Sequence, residues 1–382
     1  MQVRRDSEED RRASELVEQS FVPRRCPNLE CDSARSGFEW IHWGWHVRKK
    51  APHRVRRFRC CTCERTFSTQ TFRFTYWQKC PELDSRVRIS GLSCSANRQI
   101  ASIVGCNKQT VAHKLERLGR QSLRFQHREL RTRATRLKGS LLFDGLGSFE
   151  QSQFFPYWLN VAVHAESSFA LAFTDSPLRR SGTMTRRQRH QREALEARLG
   201  RPPRSSIIDG TAELLESVRP YLDETIVLRS DEHPAYPIAI RRAGLGHLPH
   251  RVTSGRDPRT PWNPLFEVNL SDLILRHTGS HLKRETIAFS RRRQAALEKA
   301  AMWAVHRNFM QPRRARWKRT DPTPAMLVGV ARKRLTFEEI YGERIFPDEA
   351  ILPPALRRQE KREIRTAALE GRDRLHLKRY AI

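Results

Sequence analysis

Apolar residues in this chain gather into short runs between long polar and basic segments, and the spacing within each run separates strands from helices. LLFD (ending at Asp144), YWLNVAVHA and SFALAFTD are apolar runs of strand length in close succession, so three consecutive strands are predicted. TIVLRS, ending at Ser230, and a shorter run near HLPHRV predict two more strands. Helical patterns, TAELLESVRPYL and HPAYPIAIRRAG, come before each of them. Strands followed by such alternation predict an α/β fold. A long helix through Phe309 follows, and no internal repeat is visible.

Upstream, ANRQIASIVGCNKQTVAHKLERLGR (Ala96 to Arg120) has a helix-turn-helix layout. Ala101 allows close helix contact, Gly105 suits a turn with positive φ, and Val111 locks the second helix onto the first. That second helix is expected to expose Lys108, Gln109, Thr110, His113, Lys114 and Arg117, which suit phosphates and base edges. Any short helical hairpin shows a similar pattern, so the position in the chain matters. The next residues, Gln121 to Lys138, read as a basic linking helix.

The stretch from Phe266 to Arg293 interleaves Leu270, Leu273, Ile274, Leu282, Ile287 and Phe289 with Arg276, His277, His281, Lys283, Arg284 and Arg291 to Arg293. It opens on Glu267. An acid in so basic a segment faces either a cation of the protein, such as Arg276 or Arg293, or a bound metal ion. Asp144 ends one predicted strand. Asp231 follows another in SDEHPAY, with 35 residues between it and Glu267. Taken singly, Asp144 or Asp231 could equally cap a helix or a turn.

Charge narrows the class of partner. The 382 residues hold 72 Lys and Arg against 42 Asp and Glu, a formal charge of +30 spread along the length. Such an excess points to a polyanion, of which nucleic acid is the commonest. No membrane partner is expected, because the most apolar stretch, Phe154 to Phe173, is interrupted by Asn160, His164 and Glu166. The opening MQVRRDSEED has no apolar secretory core, so a cytoplasmic location is expected. A very basic segment at about 178–206 reads as an insertion, either a solvated hairpin or a surface for the DNA backbone.

In a reducing compartment the eight cysteines suit metal binding or burial as thiols. Cys26 and Cys31, then Cys60 and Cys63, flank strand-like sequence and can supply four thiolates to one Zn²⁺. The first pair has a wider spacing than usual, and Cys61, His42, His46 and His53 remain alternative ligands. Cys94 and Cys106 sit in apolar company and read as core thiols.

The phrase RFRCCTCERTF, the three acids Asp144, Asp231 and Glu267 with Asn269 two residues on, and the segment KRETIAFSRRRQAALEKAAMWAVHRNF together resemble bacterial insertion-sequence transposases of the DDE type. The similarity is to the IS-one family and its zinc-ribbon relatives, and covers about Cys26 to about Tyr341. It implies a ribonuclease-H-like catalytic domain, Mg²⁺ or Mn²⁺ held by Asp144, Asp231 and Glu267, and water attack that frees a 3′ hydroxyl, which then attacks target DNA. It also implies phosphate contacts for Lys283 and Arg284, a role for Asn269 in orienting the Glu267 helix, action at the bacterial nucleoid on double-stranded DNA (transposon ends and target), and a homo-oligomer in the synaptic complex. Gly145 departs from the pattern, because relatives often carry a second acid there. The departure motivates an alternative, a catalytically silent DNA-binding regulator. A general nuclease using the same triad is a third reading. The expected domains are a tail (1–22), a zinc ribbon (23–75), a helix-turn-helix with its linker (82–138), the catalytic domain (139–312) and a basic C-terminal extension (313–382).

Overall fold

The computed structural model describes residues 18, 20–33, 37–48, 53–133, 136–283, 286, 288–314 and 321–367. The chain divides into two compact units, Met1–Pro81 with Phe337–Ala350, and Glu82–Thr336 with Ile351–Ile382. No helix among the described residues is long and apolar enough to cross a membrane.

The first unit is built on a three-stranded antiparallel sheet of β1 (Trp40–Val47), β2 (Arg54–Cys60) and β3 (Thr66–Ser68). Aromatic and β-branched residues favour these strands. Gly44 (φ +80°) lies at a register shift between His42 and Trp45. Phe58, Phe67 and Phe72 form the core with Phe346, which the chain returns from far downstream; the rings of Phe72 and Phe346 are 5.7 Å apart. Arg344 N donates to Phe72 O at 2.7 Å and Arg25 Nη1 to Asp348 Oδ1 at 2.7 Å. Residues 337–350 therefore belong with the N-terminal unit rather than with a separate C-terminal extension. Most of the expected tail lies outside the described residues, but Glu18 is fully buried and accepts from Arg56 N at 3.1 Å.

The second unit begins with α1 (Asp84–Gly91), α2 (Asn97–Val104) and α3 (Lys108–Arg133). Gly105 caps α2 in the left-handed region (φ +70°), which a side chain would strain. α3 is one helix of 26 residues, where the sequence suggests a recognition helix followed by a separate linker.

Next come β4 (Ser140–Phe149), β5 (Pro156–His164), β6 (Phe169–Pro177), α4 (Arg186–Leu199), α5 (Ser206–Val218), β7 (Val227–Ser230), α6 (Ala235–Arg242), β8 (His250–Val252), α7 (Phe266–Thr278) and α8 (Arg293–Val305). The strands form one mixed sheet ordered β6-β5-β4-β7-β8, antiparallel from β6 to β4 and parallel from β4 to β8. The fold is thus α/β, with five strands flanked by helices. Leu142, Leu146, Leu159 and Val161 on one face pack with Val268 and Leu275 of α7 and with Leu297 and Trp303 of α8. Gly119 permits α8 to cross α3, since a Cβ there would lie 2.4 Å from the Glu298 carbonyl oxygen. The stretch from Phe266 to Arg293 that interleaves apolar and basic residues is not one element: α7 ends at Thr278 and α8 starts at Arg293.

Candidate functional site

Parallel pairing of β4 with β7 sets Ser140 beside Val227 and Leu142 beside Arg229, a constant offset of 87 (227 − 140 = 229 − 142). The same offset carries Asp144 to Asp231, immediately past the end of β7 (231 − 144 = 87). Side chains alternate along a strand, so Asp144 shares its face with Leu142 and Leu146, the face covered by α7. From that helix comes Asp272, close enough for the charge of Asp144 to act on it. Asp272 lies four residues after Val268 and three before Leu275, both buried, which puts it at the edge of the stripe that packs on the sheet.

Electrostatics tie these three acids together. Burial, and then the nearby charge of Asp231, push the Asp144 carboxyl up to about 6, although Gly145 N donates to its Oδ1 at 2.7 Å. Tyr236 Oη donates to the same oxygen at 3.3 Å. Asp272 is raised well above the ordinary carboxylate range by burial first and by Asp144 second, and its Oδ1 is buried without a hydrogen-bond partner. Asp231 Oδ1 accepts from His233 N at 3.0 Å. Burial raises the Tyr236 hydroxyl too, with Asp144, Asp231 and Asp272 all adding to the effect. Opposing charge comes from Arg259, in the Pro-rich loop before α7, which lowers both Asp144 and Asp272, and from Arg276, which lowers Asp272 more strongly. Neighbouring carboxylates that make no ion pair among the described residues have the donor set and the unmet charge that suit a hard divalent cation.

Glu267 is held elsewhere. Its Oε2 accepts from Ser168 Oγ at 2.6 Å and its Oε1 from Arg313 Nη2 at 2.8 Å, while Arg313 Nε donates to Ser168 Oγ at 2.8 Å. Ser168 lies in the turn between β5 and β6, so both oxygens of Glu267 are taken at the edge of the sheet where β4 begins. Neither Arg276 nor Arg293 pairs with Glu267: Arg276 donates to Leu282 O and Gly147 O, and Arg293 to Glu150 and Asp175. Asp272 is the acid that the sequence reading passes over. An acid among the buried positions of an amphipathic helix was the signal that could have found it.

The cysteines form a second site, within the first unit. The sulfurs of Cys26, Cys31, Cys60 and Cys63 all lie within 4.8 Å of one another, with Cys26 to Cys63 at 3.6 Å and Cys31 to Cys60 at 3.8 Å. Four thiolates about 2.3 Å from one tetrahedral Zn²⁺ stand roughly 3.8 Å apart, so the group fits a single ion such as zinc. Cys60 and Cys63 flank a tight turn in which Glu64 N donates to Cys60 O at 3.0 Å. Hydrogen bonding by Ser33 lowers the Cys31 thiol to about 7, and burial raises Cys26. Cys61 is exposed, His42 meets Arg56, and His53 meets Arg48 O, so these alternatives stand outside the group. Among the described residues no carboxylate trio draws together as these sulfurs do.

At the start of α3, Lys108, Gln109 and His113 are exposed, Thr110 and Arg117 are partly exposed, and Gln109 Nε2 lies 3.1 Å from His113 Nε2. Lys114 differs. It is buried and its ammonium meets Asp84 at 2.5 Å, so it belongs to the helix packing rather than to the exposed face. Lys283 is exposed, and Arg284 lies outside the described residues. No protein-family model matches this chain, and no curated protein matches it.

Proposed function

We propose that this chain is a DNA transposase of the DDE type, with Asp144, Asp231 and Asp272 as its acids, acting on the ends of a mobile element and on target DNA. One observation carries the reading: the β4–β7 register offset relates Asp144 to Asp231 on neighbouring strands, and Asp272 on α7, with a buried Oδ1 that has no hydrogen-bond partner among the described residues, lies close enough for the charge of Asp144 to act on it. The sheet order, three antiparallel strands followed by two parallel ones, is the order expected of a ribonuclease-H-like domain and supports it. Gly145, the residue that motivates the silent-regulator alternative, has a packing reason of its own, since Trp158 fills the space beside it.

Phosphodiester cleavage and joining need an activated oxygen nucleophile and relief of charge on the leaving oxygen. Mg²⁺ or Mn²⁺, when bound, supplies both. Asp144, Asp231 and Asp272 would hold the cations. Tyr236 and Gly145 N fix Asp144 through its Oδ1, and His233 N fixes Asp231 through its own Oδ1. α2 and α3 act as a helix-turn-helix, presenting Lys108, Gln109 and His113 to the inverted repeats, and Zn²⁺ on the four cysteines folds the ribbon that assists them. Synapsis of two ends calls for at least two copies of the chain.

The test is cleavage and joining by the purified full chain, with Mg²⁺ or Mn²⁺, of duplexes carrying the repeats that flank its gene. Asp231→Asn is expected to abolish both steps and leave binding intact. Undiminished cleavage by that variant refutes the assignment, and equal cutting of unrelated duplexes favours a general nuclease.

A further inference from the structure

The basic segment between β6 and α5 takes no part in the chemistry proposed above, yet it is folded. α4 is capped at Thr185, whose hydroxyl accepts from Gln188 N at 3.2 Å, while Gln188 Oε1 accepts from Thr185 N at 2.9 Å. Its one buried residue, Leu195, sits on Phe154 with Phe155 alongside. A helix with so small an apolar face gains little from packing, so its position against the sheet calls for another reason.

Between α4 and the ends of the strands lies an open cavity of about 230 Å³. Phe154, Phe155, Leu195 and Leu199 give it an apolar floor. Arg179, Arg180, Arg192 and Arg201 surround Glu196 on the α4 side, and with Arg293, Arg365 and Glu150 the lining holds six arginines against two carboxylates, an excess of four positive charges (6 − 2 = 4). Arg179 holds both oxygens of Glu196, at 2.8 and 3.0 Å, and Arg201 shares one of them at 2.8 Å. Arg192 also reaches Glu193, at 3.6 Å and outside the cavity, and donates to Arg180 O at 3.1 Å. Arg192 Nε lies 3.5 Å from Glu196 Oε1, and Arg180 Nε is buried with no hydrogen-bond partner among the described residues. Arg179, Arg192 and Arg201 thus share the one carboxylate of Glu196, and a bound anion would offset the charge left over.

We propose that this cavity takes one nucleotide of a DNA strand, its base on the Phe154–Leu195 floor and its phosphate among the arginines. A simple anion has no use for the apolar floor, and a neutral ring has none for the arginines. The volume is below the roughly 300–1,000 Å³ of pockets that enclose a drug-sized ligand, so it admits one ring system with sugar and phosphate at the mouth. Glu150, on the wall, lies six residues beyond Asp144 (150 − 144 = 6). That is about 20 Å along the sheet at ~3.4 Å per residue, a reach of a few nucleotides from the acids. The choice of a nucleotide over another aromatic anion rests on the DNA reading above.

The experiment is calorimetric titration of the full chain, without divalent metal, with deoxyadenosine monophosphate, deoxyadenosine and inorganic phosphate. The monophosphate is expected to bind at least tenfold more tightly than either fragment. Leu199→Trp, which fills the cavity from its rim, should abolish binding, and Arg180→Gln should weaken it about tenfold. A single-stranded oligonucleotide should displace the monophosphate. Equal affinity for phosphate, unchanged binding by Leu199→Trp, or failure of DNA to displace the mononucleotide would each overturn the proposal. Because no metal or cleavage is involved, a negative result here is separate from one at the acid cluster.

Discussion

The indole of Trp158 lies against Gly145 so closely that a Cβ on Gly145 would fall 2.3 Å from the ring's Cε3. Trp158 also meets His233 edge-on, with ring centroids 5.1 Å apart, and His233 N is the donor to Asp231. The indole therefore occupies the place where the resemblance expects a second acid. Gly145→Ala should cost about 1–3 kcal/mol through overpacking. Urea unfolding measures it, and an unchanged midpoint would mean that Trp158 yields freely.

Asp272 and Glu267 make opposite predictions. Asp272→Asn is expected to abolish metal-dependent cleavage while raising or preserving stability, since it removes a buried repulsive charge. Glu267→Gln should leave cleavage within a few fold and lower stability by about 1–2 kcal/mol, as bonds from Ser168 and Arg313 to a charged group are weakened. Loss of cleavage in Glu267→Gln with Asp272→Asn fully active would reverse the assignment.

The raised carboxyl of Asp144 predicts an unusual pH response. A group whose folded pKa, here about 6, exceeds its unfolded value binds protons more tightly when folded. Its favourable contribution is complete below roughly pH 4 and is lost as pH rises through about 6. In metal-free buffer, wild type minus Asp144→Asn should therefore lose stability between those limits. Added Mn²⁺ should recover more stability at pH 7 than at pH 5. Melting temperatures of both proteins at both pH values read this directly, and a difference that stays flat with pH argues against it.

For the thiolate group the expected stoichiometry is one zinc per chain by metal analysis. Chelation, or Cys63→Ser, should unfold the aromatic core around Phe58 and change the fluorescence of Trp40, Trp43 and Trp45 on β1. Metal-free protein with an unaltered spectrum would rule out a structural ion.

Lys114→Ala should lower stability by about 3–5 kcal/mol, because it takes the buried cation away from the buried carboxylate of Asp84. Lys108→Ala, on the exposed start of the same helix, should weaken DNA binding and reduce its salt dependence at unchanged stability. Comparable destabilisation by both would contradict the packing described for α3.

Much of the architecture was legible because its signals are local. Apolar runs of strand length gave the strands of the mixed sheet, and paired cysteines at either side of strand-like sequence gave the thiolate group. Other features were not legible. The break between the helix predicted to end at Arg120 and the next does not exist, since no residue there stops a helix and Gly119 serves the crossing with α8. Residues 337–350 look like one more basic, interrupted stretch until Phe346 is seen against Phe72.

The amino-acid order by itself determined the α/β class, the four clustered cysteines, the basic character and the strands next to which Asp144 and Asp231 fall, although β4 runs on past Asp144 to Phe149 instead of ending there. All of these follow from spacing along the chain and from charge. Tertiary structure alone decided that Asp272 rather than Glu267 faces those acids and that Lys114 turns inward to Asp84. It also decided that the insertion walls an open cavity. A helix advances about 100° per residue, so which side chain meets the sheet depends on how the whole helix is seated, and that seating is set by contacts distant in sequence.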